Sequence, residues 1–168
     1  MEKKSVHQFS VQKPNGEEVS LKNFDNKVLL IVNTASDCGF TSQLKELEQL
    51  RNQFPRQDFE ILAFPSNDFG GQEPLEGAEI GKFCEINYDT HFPIFDKIRV
   101  RGTYAHPLFQ FLADKKQNGS VGAPPRWNFH KYLVNQKGEV IDFFYPFTKP
   151  NSTKIKKRIN KLLQVKEV

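Results

Sequence analysis

The chain has 168 residues, of which 38% are hydrophobic and 16 are Phe, and its formal net charge is +4. This length and apolar content predict one domain with a sizeable core and exclude an intrinsically disordered chain. The sequence contains no apolar run of about 18 residues, no apolar segment near Met1 typical of a secretory signal, and only two cysteines. We therefore expect a cytoplasmic protein that forms a single domain over residues 1–168 and has no disulfide scaffold.

The spacing of apolar and turn-forming residues predicts a β-hairpin, a strand–helix–strand–helix series, a further helix, a second hairpin and a terminal helix. A strand–helix–strand unit implies parallel strands joined by a right-handed crossover, and the second hairpin adds antiparallel strands. The predicted fold is an α/β, thioredoxin-like fold with a mixed central sheet, helices on both faces and an N-terminal β-hairpin. The predicted ranges, in chain order, are 6–11, 17–21, 27–33, 44–54, 59–64, 77–88, 107–113, 129–135, 139–145 and 152–163.

Cys38 lies in segment 33–41, between a predicted buried strand and a predicted helix. The amide N–H groups and the dipole at a helix N-terminus favour a thiolate over a thiol. Free cysteine is also among the most buried residue types, so Cys38 could be a small apolar core residue. The polar neighbours Ser36 and Asp37, together with Gly39, favour redox or nucleophilic thiol chemistry.

A polar loop, residues 64–74, follows the second predicted parallel strand. Because ligand sites in open α/β sheets gather at the carboxyl ends of strands, we expect this loop and Cys38 to lie at the same edge of the sheet. The amide side chains of Asn67 and Gln72 could each donate an N–H to a thiolate without adding charge. Taken alone, the loop also fits an ordinary polar turn.

The only tryptophan, Trp127, precedes Asn128 at the start of the second predicted hairpin. An indole N–H is a donor with no acceptor capacity, and the asparagine adds an amide. Trp127 could equally be a core residue whose N–H is bonded to the backbone. The spacing of these residues does not decide between the two interpretations.

Taken together, these segments resemble the glutathione peroxidase family, in its short, non-selenium form with cysteine in place of selenocysteine. No single segment is specific, but their order is, and the similarity extends from the first hairpin to the terminal helix. The matching stretches are residues 33–41, residues 64–74 with Asn-x-Phe-Gly-x-Gln-Glu-Pro, residues 92–98 and residues 127–129.

The resemblance implies that Cys38 is the peroxidatic cysteine and that Gln72, Trp127 and Asn128 complete the catalytic tetrad of the family. The implied function is a thiol peroxidase that reduces hydrogen peroxide and organic or lipid hydroperoxides to water and alcohols through a Cys38 sulfenic acid. Thioredoxin or glutathione would recycle the enzyme, in defence against oxidative stress. The resemblance implies no cofactor and no metal, and the four histidines show no ligand spacing.

Thioredoxin-dependent members of the family carry a resolving cysteine in the helix that follows the second strand, where this chain has Cys84. Aligning Phe83 and the Phe92-Pro93 pair with the family places Cys84 one residue early, which is about 100° of rotation on a helix. A disulfide needs Cα atoms roughly 4.4–6.8 Å apart, so a Cys38–Cys84 bond would require local unwinding. Cys84 is therefore either the resolving cysteine or a buried helix residue, and Ser66 stands where many members have another cysteine.

The short segment between Gly102 and Trp127 resembles members that lack the tetramer-forming insertion. It implies a monomer or weak dimer with an open site that tolerates bulky lipid or alkyl hydroperoxides. We interpret the basic residues between 149 and 166 as the solvated face of a helix, and we expect neither nucleic-acid binding nor stable membrane insertion.

Two other functions remain open on the same fold: a thiol–disulfide oxidoreductase and a redox sensor. An oxidoreductase would usually show C-x-x-C, whereas Thr41 stands three residues after Cys38.

Overall fold

The computed structural model describes residues 4–164. Its eleven regular helices and strands within that range follow the predicted order, with one short helix added. The strands are β1 (Ser10–Gln12), β2 (Glu18–Ser20), β3 (Val28–Thr34), β4 (Phe59–Pro65), β5 (Lys131–Val134) and β6 (Val140–Phe144). The helices are α1 (Gln43–Arg51), α2 (Ala78–Tyr88), α3 (Pro107–Ala113), α4 (Lys115–Asn118) and α5 (Thr153–Leu163). The ends of the predicted domain, including Lys166, lie outside the described residues.

The central sheet has the strand order β4-β3-β5-β6. Strands β3 and β4 are parallel, whereas β5 pairs antiparallel with both β3 and β6. Strands β1 and β2 form a separate antiparallel hairpin. The prediction of a mixed sheet with an N-terminal hairpin is confirmed.

Strand β3 is buried along its whole length because helices cover both faces of the sheet. Its side chains alternate between two hydrophobic cores, as the two-residue period of a strand requires. Leu29 and Ile31 contribute to a core that also contains α3 side chains, which we call the α3 core. Leu30 and Val32 contribute to a core shared with α1, α2 and α5, which we call the α1/α5 core.

The parallel pairing places the ends of β3 and β4 side by side, with Thr34 opposite Pro65. Strand β5 runs the other way beside β3, so its first residue, Lys131, lies opposite Val32 near that same edge. Three segments therefore meet at one end of the sheet: the one after β3, the one after β4 and the one before β5.

Two local predictions were wrong. The segment 6–9 does not extend β1, because the Ser5 hydroxyl accepts from the His7 amide and closes a 3₁₀ turn over Val6–Gln8. Helix α4 was not predicted, although the sequence carries its caps: the Asp114 side chain accepts from the Lys116 amide and Gly119 ends the helix with a positive φ. Helix α3 spans Pro107–Ala113 as predicted, and its N-cap is His106.

Within residues 4–164, no helix is long and apolar enough to cross a membrane.

His130 lies just before β5, and its imidazole ring is fully buried. Its ring stacks on Phe143, with centroids 5.7 Å apart, and lies 4.9 Å from the Tyr132 ring. Neither ring nitrogen has a hydrogen-bond partner within the described part of the chain. Burial, reinforced by the charges of Lys131 and Arg126, lowers the pKa of His130 to about 4.

His130 should make the fold sensitive to acid. Its folded-state pKa lies below the ordinary value of 6.5, so its contribution to stability is complete above pH 6.5 and is lost as the pH falls towards 4. The shift corresponds to about 3 kcal/mol. Between pH 7 and pH 4, the free energy of unfolding of wild type should fall. For His130→Phe that fall should be smaller by about 3 kcal/mol, measured by urea unfolding.

The matched control is His91→Phe, since the His91 side chain is 59% exposed. An unchanged pH dependence in His130→Phe would show that the buried imidazole does not govern acid stability.

Candidate active site

Cys38 lies in a turn between β3 and α1, and it is partly buried. The Cys38 amide donates to Thr41 Oγ1 at 2.8 Å, the Thr41 amide donates to the Cys38 carbonyl at 3.0 Å, and Thr41 Oγ1 donates to the Ala35 carbonyl at 3.1 Å. The Phe40 amide donates to Cys38 Sγ at 3.4 Å. Thr41 therefore shapes a turn that directs a backbone N–H at the sulfur.

The expectation that Cys38 sits at a helix start was wrong in detail. Helix α1 begins at Gln43, five residues further along the chain. The segment 39–42 forms turns before the helix begins, because Thr41 ties the backbone to Cys38 and Ala35. The N–H directed at the sulfur comes from this turn rather than from the first turn of a helix.

Gln72 lies beside the Cys38 turn. Its backbone carbonyl accepts from the Asp37 amide at 2.9 Å, which joins the loop after β4 to the residue preceding Cys38. Two consecutive glycines with positive φ, Gly70 and Gly71, precede it. A Cβ on Gly70 would lie only 3.3 Å from the Trp127 ring, so this loop needs glycine to approach the tryptophan.

Asn128 is completely buried and is joined to Gln72 through their side chains. Asn128 Nδ2 donates to Gln72 Oε1 at 3.1 Å. Because Gln72 accepts through its carbonyl oxygen, its amide N–H groups are available to a second acceptor. Asn128 Oδ1 is buried without a hydrogen-bond partner among the described residues.

Trp127 extends the same arrangement. Its ring packs on Phe69, with centroids 5.5 Å apart, and its backbone carbonyl accepts from Asn33 Nδ2 at 3.0 Å. Segments carrying Cys38, Gln72, Asn128 and Trp127 are thus linked by hydrogen bonds or close packing at one edge of the sheet.

Cys84 lies in α2, only 3% exposed, and belongs to the α1/α5 core. Cys38 packs against that core from its edge, so both cysteines contact the same side of the sheet. Both are free thiols. Burial, with a smaller contribution from the charge of Glu73, raises the pKa of Cys84 to about 12.

Glu73 is a buried carboxyl group that the sequence did not single out. The Ser36 hydroxyl donates to its carboxylate, and its backbone amide donates to Asn67 Oδ1 at 3.0 Å. Burial raises the pKa of Glu73, while the bonds from Ser36 oppose the shift. Glu73 is therefore a second tie between the loop after β4 and the segment preceding Cys38. The motif of residues 64–74 contains Glu73, but the spacing of its residues does not predict this link to Ser36.

Across residues 4–164, no group of three or more His, Cys, Asp and Glu side chains is arranged to hold a metal ion.

Comparisons with known proteins find similar chains along nearly the whole sequence. The profile of the glutathione peroxidase family matches residues 6–113. The glutathione peroxidase homolog BsaA of Halalkalibacterium halodurans is 47% identical over 159 residues, which cover 95% of this chain and 99% of that protein. The hydroperoxy fatty acid reductase of Synechocystis sp. is 43% identical over 164 residues, which cover 95% of this chain and 96% of that protein.

A solved structure of a thioredoxin family protein from Chlorobium tepidum, a thiol:disulfide interchange protein, matches with a TM-score of 0.62. The match covers 92% of each chain at 14% identity, so it shows the fold alone. The predicted thioredoxin-like fold is confirmed.

The two cysteines should differ strongly in reactivity. Alkylation requires an accessible thiolate, and burial keeps Cys84 protonated and covered, whereas Cys38 is partly exposed. With iodoacetamide at pH 7.5, we expect the reduced, folded protein to be modified at Cys38 at least about tenfold faster than at Cys84. Peptide mapping by mass spectrometry measures both rates.

The same reaction in urea is the control, because unfolding should bring the two rates together. Equal rates in the folded protein would contradict the burial of Cys84.

Proposed function

The chain belongs to the glutathione peroxidase family, and on that basis we propose that it is a thiol peroxidase in which Cys38 reduces hydrogen peroxide and organic or lipid hydroperoxides. The observation that carries this proposal is the hydrogen-bonded connection from the Cys38 turn to Gln72 and from Gln72 to Asn128. This connection links the segments that carry the amide side chains to the turn that carries the more exposed of the two cysteines. The name of the Synechocystis relative, a hydroperoxy fatty acid reductase, supports the inclusion of lipid hydroperoxides.

The proposed first step is a nucleophilic displacement on oxygen. The Cys38 thiolate attacks the terminal oxygen of the hydroperoxide, an S–O bond forms and the O–O bond breaks. The departing oxygen takes up a proton and leaves as an alcohol, or as water from hydrogen peroxide. The sulfur has given up two electrons and is left as a sulfenic acid.

N–H donors account for the roles that we assign to the other members of the tetrad. Gln72, Asn128 and the indole of Trp127 supply hydrogen bonds to the thiolate and to the negative charge that develops on the leaving oxygen. The donors lie on two separately anchored segments, the loop after β4 and the turn before β5, and this anchoring fixes them before the substrate arrives. Fixed donors stabilise developing charge without reorganisation.

The sulfenic acid of Cys38 can be reduced back to the thiol by two routes. In the first, the Cys84 thiol attacks the Cys38 sulfur, an S–S bond forms, and the hydroxyl group leaves as water with the thiol proton. Thioredoxin then reduces the disulfide by exchange. In the second, one glutathione forms a mixed disulfide with Cys38 and releases water, and another glutathione displaces it.

The structure favours a conformational change in the first route. Cys84 must leave the α1/α5 core, because burial keeps it protonated. The N-cap of helix α2 is Gly77, which has no side chain to cap the first turn. Only Ile80 and Cys84 of this helix are buried, with Phe83 and Tyr88 partly buried against the same core. We assign Cys84 the resolving role on this basis.

The remaining assignments follow the family. We propose a monomer or weak dimer that acts in the cytoplasm in defence against oxidative stress. A thiol–disulfide oxidoreductase is disfavoured, because the position of a second motif cysteine is held by Thr41, whose hydroxyl is committed to the turn around Cys38.

Turnover tests the proposal. We expect Cys38→Ser to keep the fold and lose hydroperoxide consumption, since a hydroxyl lacks the nucleophilicity of a thiolate. Gln72→Ala and Trp127→Phe each remove an N–H donor worth about 1–3 kcal/mol, so single-turnover rates should fall roughly 5- to 150-fold. Stopped-flow hydroperoxide consumption measures all three variants, and Asn87→Ala on the exposed side of α2 is the control.

Retention by Cys38→Ser of more than about a tenth of the wild-type rate would refute the assignment of the nucleophile. Wild-type rates in both donor variants would make Gln72 and Trp127 structural residues only.

The resolving role of Cys84 has its own test. In Cys84→Ser, one equivalent of hydroperoxide should react and turnover with thioredoxin should then stall, whereas turnover with glutathione should continue. Mass spectrometry of the oxidised wild type should show a linked pair of Cys38 and Cys84 peptides with two hydrogens lost. Wild-type turnover of Cys84→Ser with thioredoxin would exclude the resolving role and point to a small thiol.

A further inference from the structure

Phe129, the residue after Asn128, has an unusual backbone conformation. Its φ is +73°, in the left-handed region that bulky residues rarely adopt. Its side chain is completely buried in the α1/α5 core, so the unusual conformation belongs to the packed interior and not to a surface loop. A residue in this region persists only where its surroundings hold it.

Three hydrogen bonds hold this turn. The Phe129 amide donates to the Asn33 carbonyl at 2.6 Å, and Asn33 Nδ2 donates to the Trp127 carbonyl at 3.0 Å. Lys131 Nζ donates to the Phe129 carbonyl at 2.6 Å. Each of the three bonds acts on the backbone of residue 127 or 129, on either side of Asn128.

Lys131 is fully buried, whereas lysine side chains are almost never fully buried unless they are paired. Its hydrogen bonds go to two backbone carbonyls, those of Phe129 and, at 3.2 Å, Pro146. Gln43, the first residue of α1, donates to the same Pro146 carbonyl at 2.8 Å. Burial lowers the pKa of Lys131 to about 7, opposed by the charge of Glu46.

We propose that Lys131 and Asn33 are positioning residues that clamp the Trp127–Asn128 turn, so that the donors of the tetrad face the reacting sulfur. The inference rests on the proposed function, because it gives Trp127 and Asn128 their catalytic roles. Lys131 and Asn33 need not touch the substrate. They act through the backbone carbonyls of Phe129 and Trp127.

The clamp separates the effect of Lys131 on activity from its effect on stability. A buried ammonium without a paired counter-ion carries a desolvation cost that an apolar side chain of similar shape does not. Lys131→Met should therefore unfold at the same temperature as wild type or higher. Loss of the bond to the Phe129 carbonyl should nevertheless let the turn relax and slow the reaction of Cys38. Replacing a residue that serves stability alone would lower the unfolding temperature and the reaction rate together.

The experiment compares Lys131→Met with wild type and with Lys157→Met, a matched substitution on the exposed face of α5. Trp127 is the only tryptophan, so its emission spectrum in the reduced, peroxide-free protein reports the turn directly. We expect a shifted emission maximum, an undiminished unfolding temperature and a single-turnover rate about tenfold lower in Lys131→Met. Lys157→Met should match wild type in all three.

Asn33→Leu provides a second variant that removes the bond to the Trp127 carbonyl at similar side-chain volume. Because both residues act on one turn, we expect the double variant to be slowed by less than the product of the single effects. If Lys131→Met fails to fold, the emission and rate of Asn33→Leu decide the proposal alone.

Wild-type emission and a rate within about twofold of wild type in the folded variants would overturn the clamp. So would independent, multiplicative effects in the double variant. Failure of the proposed function gives a different result: wild type itself would then not react with hydroperoxide, while the emission spectra would still test whether Lys131 and Asn33 hold the turn.

Discussion

The hydrogen bond between the side chains of Asn128 and Gln72 joins residues that are 56 positions apart in the chain, and the rest of the site depends on it. The topology of the sheet brings these two residues together. Parallel β3 and β4 end side by side, and antiparallel β5 begins next to them, so the loop after β4 and the turn before β5 must meet. The Cys38 turn enters the same place through the bond from the Asp37 amide to the Gln72 carbonyl.

Buried polar groups concentrate where these segments meet. Glu73, Asn128, His130 and Lys131 are all completely buried, and an apolar core of the same shape would cost the fold less. Asn128 and Lys131 act on the donors or on the backbone that carries them. Glu73 ties the Gln72 loop to Ser36. His130 makes no hydrogen bond through its ring within the described residues, and it packs instead in a group of aromatic rings. The protein therefore concentrates completely buried polar side chains at the end of the sheet where the segment carrying Cys38 meets the other two.

Much of the fold could be predicted from the sequence because it follows from local patterns. Continuous apolar runs define β3 and β4, and Pro107 marks the first turn of α3. Features that arise from contacts distant in sequence could not be read in this way. Phe129, for example, is held in the left-handed region by the hydrogen bond from its amide to the carbonyl of Asn33, which is far away in the chain. For the site, residue chemistry suggested Cys38, whereas Gln72, Trp127 and Asn128 became a set only through the resemblance to a family. Glu73 lies in the motif of residues 64–74, but its hydrogen bond from Ser36 and its burial arise from tertiary contacts that the motif does not predict.

The central claim is that Cys38 itself takes the oxygen atom of a hydroperoxide. The most direct measurement is rapid-quench mass spectrometry of Cys84→Ser protein mixed with one equivalent of an alkyl hydroperoxide and no reductant. The account predicts that the Cys38 peptide gains one oxygen atom as an equimolar amount of the alcohol appears, with the other peptides unchanged. Intact hydroperoxide, or oxygen distributed over other residues while Cys38 stays reduced, would contradict it.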